Sequence, residues 1–177
     1  MAFLKKLLIG IGALIVIVCV IGFFLPSEYS VERRILIKAN PSEVYPEVVD
    51  LKAWQKWGVW FKRDPNMVID YSGPDRAIGM RSVWQSATEG NGEMEITQLV
   101  HNKNVEYRLY FPDFDMGSTG SVSLTPTEEG TLVTWTDEGE VGMNPVDRYF
   151  VLMIDGLIGP DFEMGLENLK TVIENQS

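Results

Sequence analysis

The sequence predicts an α+β protein, a seven-stranded antiparallel curved sheet wrapped around a long C-terminal helix, behind a single N-terminal transmembrane helix. Three observations predict it. Leu7 to Leu25 is an apolar run without a charge. From Met67 to Glu140, runs of alternating apolar and polar residues are separated by short turn sequences, which join antiparallel neighbours. The chain then closes on an apolar helical segment too long and too greasy to stand without a large partner surface.

Taken in order, the run LLIGIGALIVIVCVIGFFL covers about 28 Å as a helix, one hydrocarbon core. Lys5 and Lys6 precede it, which favours a cytoplasmic N-terminus and an extracytoplasmic (periplasmic) remainder, although Arg33, Arg34 and Lys38 behind the span pull the other way. A cleaved secretory signal is the rival reading. The length of the run and the sequence Phe23, Phe24, Leu25, Pro26, which lacks a small-x-small site, favour an uncleaved anchor. Cys19 reads as a small apolar residue facing lipid. The expected division is therefore an anchor over residues 1–26 and one folded unit over 27–177.

Ser30 to Lys38 alternates as a strand. Asn40 is a suitable N-cap, Pro41 suits the first helical position, and Glu43 stands where a capping box needs it. Val44, Val48 and Leu51 give this helix an apolar stripe, and Pro46 is expected to kink or split it. Trp54, Trp57 and Trp60 recur every third residue beside Phe61. That spacing suits either a short helix packed on the sheet by aromatics or an aromatic wall around an apolar ligand.

The strands that follow are Met67–Tyr71, Ile78–Ser86, Glu93–Val100, Val105–Phe111, Ser118–Pro126 and Leu132–Glu140. Met94, Ile96 and Val100 are expected on one face, as are Val105, Tyr107, Leu109 and Phe111. Asn144 and Pro145 are expected to open the last helix, Gly159 and Pro160 to interrupt it with a kink or break, and Asp161–Glu174 to form its second half.

Composition narrows the function. Of 15 basic and 25 acidic side chains only Lys5 and Lys6 precede Glu28, so the remainder carries 13 basic against 25 acidic, net −12. That excludes a nucleic-acid surface and broad electrostatic docking on anionic lipid. Cys19 is the only cysteine and His101 the only histidine, so neither a disulfide nor an ordinary zinc site is expected, and no metal or cofactor. His101, in the turn HNKN, reads as a solvated turn residue. Asp113 and Asp115 lack the further ligands of a calcium loop. Tyr71, Arg81, Tyr107 and Thr134 are the polar candidates for an interior face. Asp137 would be a possible proton acceptor, but the run Asp137, Glu138, Glu140 reads as a strand end facing water. No catalytic residue is assigned.

The segments VERRILIKANPSEVYPEVVDLKAWQKWGVWF, GNGEMEITQLVHNKNVEYRLYF, GTLVTWTDEGEV, NPVDRYF and GPDFEMGLENLK, in this order, resemble the START and birch-allergen-like (SRPBCC) superfamily. The likeness is to its polyketide cyclase/dehydrase and lipid-transport branch, in a membrane-anchored bacterial form, and spans Glu28 to Glu174. The resemblance implies the helix-grip fold and an apolar cavity between sheet and helix, used in different members for lipids, sterols, polyketides or hormones. It does not imply one reaction. The expected function is membrane-anchored, non-catalytic binding of an apolar small molecule or lipid. The alternatives are a partner-binding or assembly domain without a ligand, and a cyclase- or hydrolase-type enzyme on an apolar substrate. By period two on strands and periods three and four on the helix, the expected ligand-lining residues are Trp57, Trp84, Tyr107 and Phe111 opposite Phe150, Ile154, Phe162 and Leu166.

Overall fold

A computed structural model describes residues 2–175; the last two residues of the expected 27–177 unit lie outside the described residues. Helix α1 (Ala2–Phe23) has a mean hydropathy of 2.7 over Phe3–Phe23 and is almost wholly exposed. It is long and apolar enough to cross a membrane, a property it shares with signal sequences. Strand β1 (Glu28–Ile37) follows, then helix α2 (Pro41–Val49) and two short helices, α3 (Trp54–Trp57) and α4 (Val59–Arg63). Six strands come next: β2 (Val68–Ser72), β3 (Arg81–Gln85), β4 (Gly92–Val100), β5 (Asn104–Phe111), β6 (Met116–Thr127) and β7 (Gly130–Glu140). Helix α5 (Arg148–Glu174) ends the fold.

The seven strands form one antiparallel sheet in the order β1-β7-β6-β5-β4-β3-β2. Strand β1, first in sequence, crosses past the helices to pair with the last strand. Helix α5 lies over β1 and is flanked by α3. The sheet's inner face and the inner stripe of α5 (Ile154, Phe162, Leu166, Leu169, Ile173) enclose one core with α2 and α3. This is the helix-grip arrangement.

The capping expected for α2 is present: the Glu43 carboxylate accepts the Asn40 backbone N–H at 2.7 Å. Pro46 does not split the helix. The carbonyl its ring leaves unpaired belongs to Ser42, an exposed residue that water can reach.

The same reasoning corrects the expected break in α5, which runs unbroken through Pro160. The carbonyl four residues back is that of Gly156; both residues are exposed, and glycine gives the proline ring no side chain to meet. The start of α5 is later than Pro145. Asn144 accepts the Val146 N–H through Oδ1 at 3.0 Å, a local turn that delays the helix to Arg148.

One strand reverses its expected face. The register between β4 and β5 shifts between Ile96 and Gln98, a bulge that adds a residue to β4. After it Leu99 stands opposite Val105 and packs on the core, while Val100 turns outward. Period-two reading across an unseen bulge gives the wrong parity.

Candidate functional site

The space between the sheet and α5 is occupied at its centre by aromatic rings. Trp135 on β7 stacks flat on Phe162 of α5, with centroids 4.1 Å apart and planes at 7°. Trp54, Trp57 and Trp60 all meet the Trp135 ring edge-on, at 5.5, 5.3 and 5.9 Å. Tyr107 meets Trp54 at 5.4 Å. These contacts are ordered by polar ties to backbone and side chain. Trp54 donates to the Val48 carbonyl at 2.8 Å, Trp57 to the Glu47 carbonyl at 3.1 Å, and Trp135 to the Tyr107 hydroxyl at 2.7 Å. The spacing of tryptophans through α3 and α4 thus brings three indoles onto one ring of the sheet.

Of the eight expected lining residues, Trp57, Tyr107, Phe162 and Leu166 belong to this buried centre, and Ile154 is buried further along α5. Trp84 and Phe111 lie away from the Trp135 cluster, as a half-buried edge-to-face pair at 6.0 Å on the β3–β5 side of the inner face. Phe150 is not brought to them: 40 % exposed, it stands on the outer side of α5. Its i, i+4 relation to the buried Ile154 suggested one stripe, but the next inward positions are Ile158 and Phe162, so the inner stripe begins at Ile154.

Among the polar candidates only Tyr107 is fully inside. Arg81 alternates with buried Ser82, faces outward and pairs with Glu93. Thr134 alternates with buried Val133 and Trp135 and also faces outward. The Tyr71 hydroxyl accepts from Gln55 at 2.8 Å. His101 is a turn residue, set edge-on against Tyr45 at 5.1 Å.

Asp137 corrects the reading of a solvated strand end. It is only 3 % exposed and accepts hydrogen bonds from Tyr29 at 3.3 Å and Ser118 at 2.9 Å. Burial pushes its carboxyl up to about 6, with Glu138 adding to the rise; the bonds from Ser118 and Tyr29 hold it from going higher. Burial also raises the Tyr29 hydroxyl, with the Asp137 charge second. The signal was legible: Thr131, Val133, Trp135 and Asp137 share one parity on β7. Such a carboxyl can hold or release a proton near neutrality, but both its oxygens are engaged within the protein. Among the described residues no group of three or more His, Cys, Asp or Glu could hold a metal ion.

An open recess of about 450 Å³ lies where α5 crosses β1, lined by Arg34, Ile35, Pro160, Glu163, Met164, Leu166 and Glu167. Leu166 joins it to the aromatic centre. Two arginines clamp α5 around this point. Arg33 grips both oxygens of Asp155, at 2.8 and 3.1 Å, and Glu163 at 2.6 Å. Arg63 grips both oxygens of Asp161 at 2.8 Å and Glu89 at 2.7 Å. Gly159 lies beneath the first clamp, and a Cβ there would push the Arg33 guanidinium aside.

The family described as polyketide cyclase/dehydrase and lipid transport matches residues 28–174. No protein of curated function matches the sequence. Solved structures share the fold. Protein MLL2253 from Mesorhizobium loti superposes with a TM-score of 0.62 at 18% identity, over 84% of this chain and 98% of that one. SA2116 from Staphylococcus aureus, a protein of unknown function, gives 0.64 at 17% over 84% and 95%. The di-domain ARO/CYC StfQ of the steffimycin biosynthetic pathway gives 0.61 at 14%, over 84% of this chain and 51% of StfQ. At these identities the likeness is one of fold.

Proposed function

Because the chain belongs to the polyketide cyclase/dehydrase and lipid transport family, we propose that it binds an apolar small molecule or lipid between the sheet and α5, without transforming it, while α1 holds it to a membrane. The observation that carries the reading is the recess between β1 and α5, lined by the buried Leu166 and by the exposed, charged Arg34, Glu163 and Glu167. A lining that combines apolar and charged side chains suits a molecule with an apolar body and a polar end. Entry deeper into the grip requires α5 to lift from the Trp135–Phe162 stack. The ion pairs that hold it there are exposed on at least one partner and individually weak, about 0–1 kcal/mol each. The lysines before α1 favour a cytoplasmic N-terminus and a folded unit on the far side of the membrane.

Native mass spectrometry of the gently extracted full-length protein, with lipid analysis of what dissociates, tests the reading. A stoichiometric apolar ligand is expected. An empty protein that leaves the membrane bound to another protein would favour the second reading, an assembly domain. That reading is supported by the aromatic rings that already fill the centre of the grip.

A further inference from the structure

Helix α5 has two apolar faces. Ile154, Phe162, Leu166 and Leu169 face the sheet. Phe150, Met153, Leu157 and Met164, at i, i+3, i+7 and i+14, fall on a second stripe turned away from it. They are 40, 55, 53 and 56 % exposed, so the described residues leave this stripe largely open. Between Tyr149 and Pro160 the only charged side chain is Asp155, and Arg33 neutralises it. A solvated helix face of this composition is costly; a face in contact with hydrocarbon is not.

The position of α1 identifies what covers it. Tyr149 lies beside the outer stripe on the helical wheel, and its hydroxyl donates to the Val18 carbonyl of α1 at 2.7 Å. Arg148 donates to the carbonyls of Phe23 and Leu25 at 3.0 and 3.1 Å. Pro145 packs so closely on Gly22 that a Cβ there would collide with it. The start of α5 is thereby fixed along the last turn and a half of α1, from Val18 to Phe23, about 8 Å of helix. If α1 spans a bilayer, the first turns of α5 sit at the depth where amphipathic helices rest, about 5–10 Å into the headgroup boundary. Tyr149 and Phe150 then join Phe23 and Phe24 at the interface, where aromatic rings gather.

We propose that the outer stripe of α5 is a bilayer-docking surface, so that the folded unit lies on the membrane rather than hanging from it. The proposal rests on the anchoring of α1 proposed above. Its occupant is lipid. The acidic balance of the folded unit makes the attraction apolar, not electrostatic, so zwitterionic lipid suffices. Pro160 and Met164 belong both to the recess and to this side of α5, so the recess opens toward the lipid surface. A membrane-dissolved ligand would enter it without crossing water.

The test uses full-length protein in phosphatidylcholine vesicles, in a Cys19→Ser background, with one spin label at a time. The sites are Met153→Cys and Leu157→Cys on the stripe, Val16→Cys in α1, and Glu128→Cys at the exposed β6–β7 hairpin far from α1. Collision with oxygen, which partitions into lipid, is compared with collision with a water-soluble nickel chelate. Near-ultraviolet dichroism of the tryptophan cluster confirms folding of each variant. Oxygen is expected to dominate at positions 16, 153 and 157 and nickel at 128. Nickel dominating at 153 and 157 with oxygen dominating at 16 would overturn the docking and leave the anchor standing. Nickel dominating at 16 would remove the anchor itself, and the docking with it. Dipolar broadening between labels at 157 would place a second copy of the chain on the stripe and overturn the assignment to lipid.

Discussion

Gly120 separates Tyr107 from Asp137. It stands on β6 opposite Tyr107 of β5 on one side and opposite Asp137 of β7 on the other. A Cβ at this position would run into the Tyr107 ring. The missing side chain lets the phenol lean across β6 and take the Trp135 indole proton at 2.7 Å. The centre of the grip is thus tied from β5 to β7 over the one strand position too small to interfere.

That tie gives a first prediction. Tyr107→Phe leaves the Trp135 N–H buried without a partner and should cost about 1–3 kcal/mol. Gly120→Ala should cost about the same, by overpacking against the ring. Urea unfolding checks both. A lower midpoint with an unchanged slope is expected, and a midpoint equal to wild type in both would show that the tie contributes nothing to the fold.

Much of this arrangement is written in the sequence, and the failures have physical causes. The succession of elements along the chain, the capped helix and the apolar stripe of α5 follow from alternation, capping chemistry and helical spacing, which are local. Tyr107, Phe162 and Leu166 were legible because each continues an apolar period. Trp135 and Asp137 obey the same period, but the acidic run after Thr136 suggested water where β1 and β6 close over Asp137. That closure is a tertiary fact. Val100 departs from the period because of a bulge, which has no sequence signature as clear as a turn. Neither proline breaks its helix, because the residue whose carbonyl each one orphans, Ser42 or Gly156, is exposed.

Asp137 sets a dependence on pH. Its carboxyl rises from 3.8 to about 6 on folding, so the folded state binds the proton more tightly than the unfolded chain does. Its contribution to stability is therefore largest when protonated, below about pH 4, and is lost as pH rises through about 6. The two-unit shift corresponds to about 3 kcal/mol. Asp75 and Asp155 act in the opposite sense, being lowered by Lys52 and Arg33, but both are exposed and matter only in stronger acid. Wild type should be more resistant to urea at pH 5 than at pH 8. Asp137→Asn should flatten that difference and be no less stable than wild type at pH 8. A slope that persists unchanged in the variant would assign it to another group.

Residues 27–177 should fold without α1. The sheet, the aromatic centre and both arginine clamps lie wholly within that part. What removal of residues 1–26 takes away is the packing of Gly22 on Pro145 and the carbonyls bonded by Arg148 and Tyr149. A sharp thermal transition with intact near-ultraviolet dichroism is expected, together with more rapid amide exchange in the first turns of α5. Loss of the dichroism would mean that α1 is part of the folding unit.

Leu166 offers the most direct test of where a ligand sits. It is 2 % exposed, lies on the inner stripe of α5, and also lines the recess with Ile35 and Met164. The recess offers a larger side chain there the open side into which to grow. Leu166→Trp should therefore fill the recess and abolish the fluorescence enhancement of an apolar probe. The cost in stability should be about 1–3 kcal/mol, the range for overpacking with room to relax. Probe titration and urea unfolding of the same preparation separate the outcomes. Complete unfolding would mean that Leu166 is solid core with no relief on the recess side, and the assembly reading would gain. A folded variant that binds the probe as wild type does would place the ligand elsewhere on the grip, with the Trp84–Phe111 pair as the next position to substitute.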